Sequence, residues 1–130
     1  MLASLLTSLL VTMFLPYLAK VPLAFAMNKK GHYDNNNPRK QQATLEGFGE
    51  RANAAHYNSF EALAVFAAAV LITAQSGPVG SLSVTLAWLF VLSRIAYLCC
   101  YWFNLATLRS LVWFLGIACC FAMAIIALFV

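Results

Sequence analysis

The sequence predicts an all-α integral membrane protein, a four-helix bundle of antiparallel up-and-down topology. Three observations carry that prediction. Hydrophobic residues make up 63% of the 130-residue chain and charged residues only 9%, where a soluble domain has roughly 45–50% and 25%. A small soluble fold buries only part of what its unfolded chain exposes, so it cannot hide this much apolar surface. The apolar residues also fall into four long runs, each near the ~20 residues that cross a bilayer as a helix. Finally, none of the runs alternates with period two, and backbone groups in lipid must be satisfied within their own segment, which makes the runs helices. Soluble enzymes, disordered chains and disulfide-stapled secreted modules are excluded. Residues 1–130 read as a single domain.

The first helix is expected over about 2–26, interrupted by Pro16, Lys20 and Pro22. Ala24-Phe25-Ala26 mimics a signal-cleavage site, but no basic residue precedes the run, which is long for a signal, so it reads as a retained helix. The second is expected over 44–75. It is apolar from about Phe60, behind a polar half carrying Glu46, Glu50, Arg51, Asn53, His56 and Asn58. The third is expected over 82–104 and the fourth over 107–130. The connection at 27–43 is polar and turn-rich, centred on Asp34-Asn35-Asn36-Asn37-Pro38. Gln75–Ser81, with Gly77, Pro78 and Gly80, is a tight turn. Asn104–Thr107 is short enough to make the third and fourth helices antiparallel neighbours.

Basic residues set the expected orientation. Lys29, Lys30, Arg39 and Lys40 lie in the first loop and Arg109 just beyond the third helix, while the Gln75–Ser81 turn has no charged side chain. The positive-inside rule puts the basic loops in the cytoplasm and both termini outside.

Two ionisable residues fall at membrane depth. Glu61 lies ~21 Å from the uncharged turn and Arg94 on the returning helix ~18 Å from it, at 1.5 Å per residue. Isolated charges there are costly, so the two are expected to pair, as a structural ion pair or as part of a site. Arg51, Asn58 and Glu61 share one helical face, and Arg94, Tyr97, Tyr101 and Asn104 share another. Two such stripes on adjacent helices make a polar cleft suited to a small ligand with carboxylates; an aromatic belt is the alternative for the tyrosines. His56 points ~140° away from Arg51 and reads as a structural hydrogen-bonding group. Adjacent helical cysteines, as in Cys99-Cys100 and Cys119-Cys120, are poorly placed to bond each other and read as small core residues. No two histidines have metal-ligand spacing, and no phosphate loop, dinucleotide fingerprint or nucleic-acid site is present. The basic first loop can touch anionic lipid headgroups.

At this point the residues resemble a family. The segment from Arg51 to Glu61, Arg-Ala-Asn-Ala-Ala-His-Tyr-Asn-Ser-Phe-Glu, is similar to the second-helix signature of the MAPEG family, the membrane-associated proteins of eicosanoid and glutathione metabolism. Arg94-x-x-Tyr97-x-x-x-Tyr101 followed by Arg109-Ser110 resembles its later signature, and Tyr33 to Arg39 resembles the first loop of small bacterial members. The resemblance implies a homotrimer in the bacterial inner membrane, with glutathione bound between neighbouring subunits near the cytoplasmic face. It implies that Arg51, Asn58, Glu61, Arg94, Tyr97 and Tyr101 contact glutathione, that Arg109 and Ser110 lie near its thiol, and that Lys20 or Lys29 reaches a neighbour's site. Ala54 and Trp113 depart from the pattern: some relatives have an arginine and, about a turn past the arginine of the last helix, a tyrosine there.

Two functions follow. One is a glutathione-dependent transferase or peroxidase acting on a lipophilic electrophile or hydroperoxide, with membrane lipids as surroundings and Arg109 holding the thiolate. The other is a non-catalytic accessory or scaffold protein that keeps the bundle, in which Arg109 only anchors its helix at the headgroups. A transporter lacks support, because the helices show no inverted repeat.

Overall fold

The computed structural model describes all residues, Met1–Val130. Helices occupy α1 (Leu2–Lys29), α2 (Pro38–Gln42), α3 (Phe48–Gln75), α4 (Ser81–Trp102) and α5 (Ala106–Phe129), with no strand. All but α2 are long and apolar enough to span a bilayer. The protein is an integral membrane four-helix bundle.

The largest packing interfaces join α1 to α3 and α4 to α5. Contacts of α3 with α5 and of α1 with α4 close the ring, and α3 also meets α4 across it. Only 32 of 130 residues are buried, and large apolar side chains such as Phe14, Leu71, Leu92 and Phe121 point outward. In water that surface would oppose folding; in hydrocarbon it costs nothing, and the helices associate through packing and polar contacts.

α1 runs to Lys29, three residues past its expected end, α4 stops two short at Trp102, and two larger differences from the sequence reading lie between them. The second long helix starts at Phe48, four residues late, because Gly47 takes φ 59°, a left-handed conformation that breaks the helical path before it. Leu45 meanwhile folds inward beside Leu23, Met27 and Ala52. The expected loop also contains α2. Pro38 occupies its first turn, where the missing N–H removes no bond.

The first loop is held by its own side chains. Gln41 accepts from the Asp34 N–H at 2.9 Å and donates to the carbonyls of Met27 and His32 at 3.1 and 2.8 Å. Asp34 accepts from the N–H groups of Asn36 and Asn37, both at 3.0 Å, and Lys30 donates to the Thr44 carbonyl. At the far end of α4, Asn104 adopts φ 58°. The Leu105 N–H then reaches the Cys100 carbonyl at 2.8 Å and the Asn104 N–H reaches Tyr101 at 3.2 Å, the paired bonds of a Schellman cap. Asn104 therefore terminates the helix instead of extending the polar stripe of Arg94, Tyr97 and Tyr101.

Candidate functional site

Positions 51, 58 and 61 share a face of α3 and 94, 97 and 101 a face of α4, and the two helices meet there through Arg51 and Tyr101 and through Asn58 and Arg94. The structure brings them together as a string. Arg94 is only 3% exposed, and its Nη2 donates to Oδ1 of Asn58. The same amide donates through Nδ2 to Oε2 of Glu61 at 3.1 Å. Glu61 and Arg94 thus do not touch; Asn58 stands between them. A carboxamide can do this because it presents an acceptor at one end and donors at the other, and here the cation takes the oxygen and the carboxylate takes the nitrogen.

Beyond Arg94 the string turns aromatic. The Arg94 guanidinium lies 4.0 Å from the ring centroid of Tyr97. Tyr97 meets Tyr101 edge to face, with centroids 5.2 Å apart, and Arg109 lies 4.4 Å from the Tyr101 ring. Stacking on an aromatic face is a favourable setting for a desolvated guanidinium. Arg51 closes the loop-side end, its Nε donating to the Tyr101 carbonyl at 3.0 Å.

The expected residues are not all engaged alike. Arg109 sits in the first turn of α5, where the helix dipole adds to its positive charge and makes the spot attractive to an anion. Ser110, next to it, is exposed and donates back to the Ala106 carbonyl at 3.3 Å, so its hydroxyl turns along its own helix. Glu61 is exposed on the surface of the chain. Ala54 contributes no polar group, and Trp113 packs edge to face on Phe114 at 5.1 Å. His56 lies off the string and bonds the Pro16 carbonyl through Nδ1 at 2.8 Å. A carbonyl only accepts, so that nitrogen carries the proton. All four cysteines are free thiols, and Cys100, Cys119 and Cys120 are buried.

On the turn side of Glu61 the same face of α3 becomes apolar. Ala64, Val65, Ala68 and Ile72, with Cys120 and Phe121 of α5, border a groove of about 410 Å³ lined entirely by hydrophobic residues. The sequence reading did not single out this groove. The signal was present in the apolar residues that follow Glu61 at i+3, i+4 and i+7, Ala64, Val65 and Ala68. Two buried polar atoms on the loop side, Oδ1 of Asn53 and Nε1 of Trp102, have no partner.

The arrangement offers cations, phenol rings and a carboxylate in one line, with an apolar groove at its end. Such a line can orient a small zwitterion bearing carboxylates beside a lipophilic molecule. The model of the MAPEG family matches residues 4–129, nearly the whole chain. No curated protein and no solved structure matches it.

Proposed function

The chain belongs to the MAPEG family, and from that premise we propose that it binds glutathione and joins it through its sulfur to lipophilic electrophiles, or uses it to reduce lipophilic hydroperoxides. One observation carries the reading. Arg94 is almost wholly buried, yet its nearest polar partner is a neutral amide. A buried cation without a carboxylate in contact favours a ligand that supplies one. Glutathione has two carboxylates, an ammonium and a thiol. Arg94 and Arg51 suit the carboxylates, exposed Glu61 suits the ammonium, and the edges of Tyr97 and Tyr101 offer hydroxyls.

The thiol falls to Arg109. A cysteine-type thiol has a pKa near ~8.5, and a neighbouring cation lowers it. The guanidinium and the start of α5 both supply positive potential. Glutathione's thiol proton leaves to solvent, the thiolate attacks the electrophilic carbon, and the new carbon–sulfur bond displaces the leaving group. The second substrate fits the apolar groove beyond Glu61. We propose a homotrimer, in which a neighbour covers Glu61, and an orientation with the basic loops in the cytoplasm.

A calorimetric titration of purified protein in detergent with glutathione tests binding, and ultraviolet thiolate absorbance tests activation. Arg109→Ala is expected to keep the fold and lose both the thiolate signal and roughly 10²-fold of turnover with a model electrophile. A second reading, a scaffold without turnover, is favoured by Ala54, by Trp113 and by the bond of the Ser110 hydroxyl to its own helix. Absence of binding and turnover with any thiol would establish it. Orientation is read by labelling Asn36→Cys and Gly77→Cys in a cysteine-free background; outside-only labelling of Asn36→Cys would reverse it.

A further inference from the structure

Away from the string, on the other side of α3, a second group of cations surrounds empty space. Lys20 of α1, Arg39 and Gln42 of α2, and His56 and Tyr57 of α3 line a cavity of about 520 Å³, and no acidic side chain is among its walls. Two of its donors, the Lys20 ammonium and the Gln42 amide, have a sulfur and no oxygen as partner. The Lys20 ammonium meets the Met27 thioether at 4.0 Å and the Tyr33 ring at 5.6 Å. Tyr57 donates to Oε1 of Gln42 at 3.2 Å, which fixes the amide and leaves Nε2 facing the same sulfur at 3.8 Å. A thioether is a weak acceptor and does little to satisfy either group. Arg39 is held in place by the loop that Gln41 and Asp34 lock.

Depth narrows the ligand. Lys20 lies ~27 Å along α1 from Leu2, and His56 lies ~28 Å along α3 from Gln75. Both distances are close to the ~30 Å thickness of a hydrocarbon core. The cavity therefore lies at the loop-side border of the hydrocarbon, the level of lipid phosphates, with Lys40 of α2 outside its wall.

We propose that this cavity binds a phosphate group, presented by the headgroup of an anionic membrane lipid. Lys20 and Arg39 supply the charge, and the Gln42 amide donates to a phosphate oxygen. The cavity shares no side chain with the Glu61–Arg94 string. Although the family resemblance would also bring Lys20 to a neighbour's glutathione site, Arg39 has no place in that site, so Arg39→Gln separates lipid binding from glutathione binding.

The test is native mass spectrometry of the full-length protein, titrated with phosphatidylglycerol or phosphatidylcholine of matched acyl chains. Wild type should retain phosphatidylglycerol preferentially, and Lys20→Gln and Arg39→Gln should each weaken that retention roughly fivefold. Lys40→Gln, the same charge change on the same helix but outside the cavity, should have a smaller effect, and Arg94→Gln none. Equal retention of the two lipids, or a loss with Lys40→Gln as large as with Arg39→Gln, overturns the proposal. Inorganic phosphate is the second arm. If it stabilises wild type but not Arg39→Gln while phosphatidylglycerol is ignored, the anion cavity stands and the lipid source falls. Should Lys20→Gln fail to fold, the exposed Arg39→Gln carries the comparison alone, with Lys20→Arg expected to restore binding.

Discussion

Toward the Gln75–Ser81 turn, ten buried residues from α1, α3, α4 and α5 join in one apolar cluster, with the Phe66 and Phe90 rings stacked 4.1 Å apart at its centre. Toward the first loop, the buried apolar residues split into a cluster of four around Leu23 and Met27 and one of three around Ala19. Arg94, Asn58, Tyr97 and Tyr101 occupy that half instead. One half is packed by shape and the other is organised by hydrogen bonds and cation–ring contacts. The difference has a physical source. Lipid offers apolar side chains no advantage over one another, so tight packing must hold one end, whereas buried polar groups in the other end are costly without partners, and all but Oδ1 of Asn53 and Nε1 of Trp102 have one. Stability and chemistry are thereby assigned to opposite ends of the same helices.

The comparison can be broken most sharply at Phe66. Phe66→Ala opens a cavity in the continuous core and is expected to cost about 3–5 kcal/mol. Glutathione affinity measured on the surviving folded fraction should not change. A loss of affinity as large as the loss of stability would mean that the halves are not independent.

Asn58 tests the other half at intermediate size. Asn58→Ala removes the amide between Glu61 and Arg94, and a hydrogen bond to a charged group is worth about 1.5–3 kcal/mol. Thermal unfolding of Glu61→Gln, Arg94→Gln and the double variant should show coupling while Asn58 is present and additivity once it is replaced by alanine. Additivity in both backgrounds would sink the relay.

The smallest effect belongs to His56, whose bond to the Pro16 carbonyl ties α3 to α1. His56→Ala should cost about 0.5–1.5 kcal/mol in thermal unfolding, and no glutathione affinity, since the ring lies off the string. A clear loss of affinity would place His56 in the site.

Much of this was legible in the chain. Four apolar runs specify four spanning helices because length and hydrocarbon thickness are linked directly. The facing stripes of α3 and α4 follow from helical spacing, and so does the similar depth of Glu61 and Arg94. What was hidden depended on atoms brought close by folding. That Asn58 reaches both charges requires the interhelical distance between α3 and α4. Ser110 satisfies itself locally at i−4, a choice open to any helical serine. Asn104 fits the polar stripe by spacing, but its left-handed backbone ends the helix first. The helix over Pro38–Gln42 exists because Gln41 reaches carbonyls fourteen and nine residues earlier in the chain, and no local pattern announces such bonds. That Arg39 and Lys20 line one cavity depends on that same loop path.

The heavy pairing of α1 with α3 and of α4 with α5 has a consequence for biogenesis. Each pair is a helical hairpin that can enter the bilayer as a unit, and the two are joined only through the glycine-rich segment after α3. No backbone hydrogen bond spans Gly77 to Gly80, and Val79 is what ties that segment to the apolar core, so the hairpins are held to each other by side-chain packing and not by the backbone of the connection. Two separately translated halves, severed there, would still carry complementary surfaces, Phe66 on one and Phe90 on the other, and the polar string would form only at their reunion.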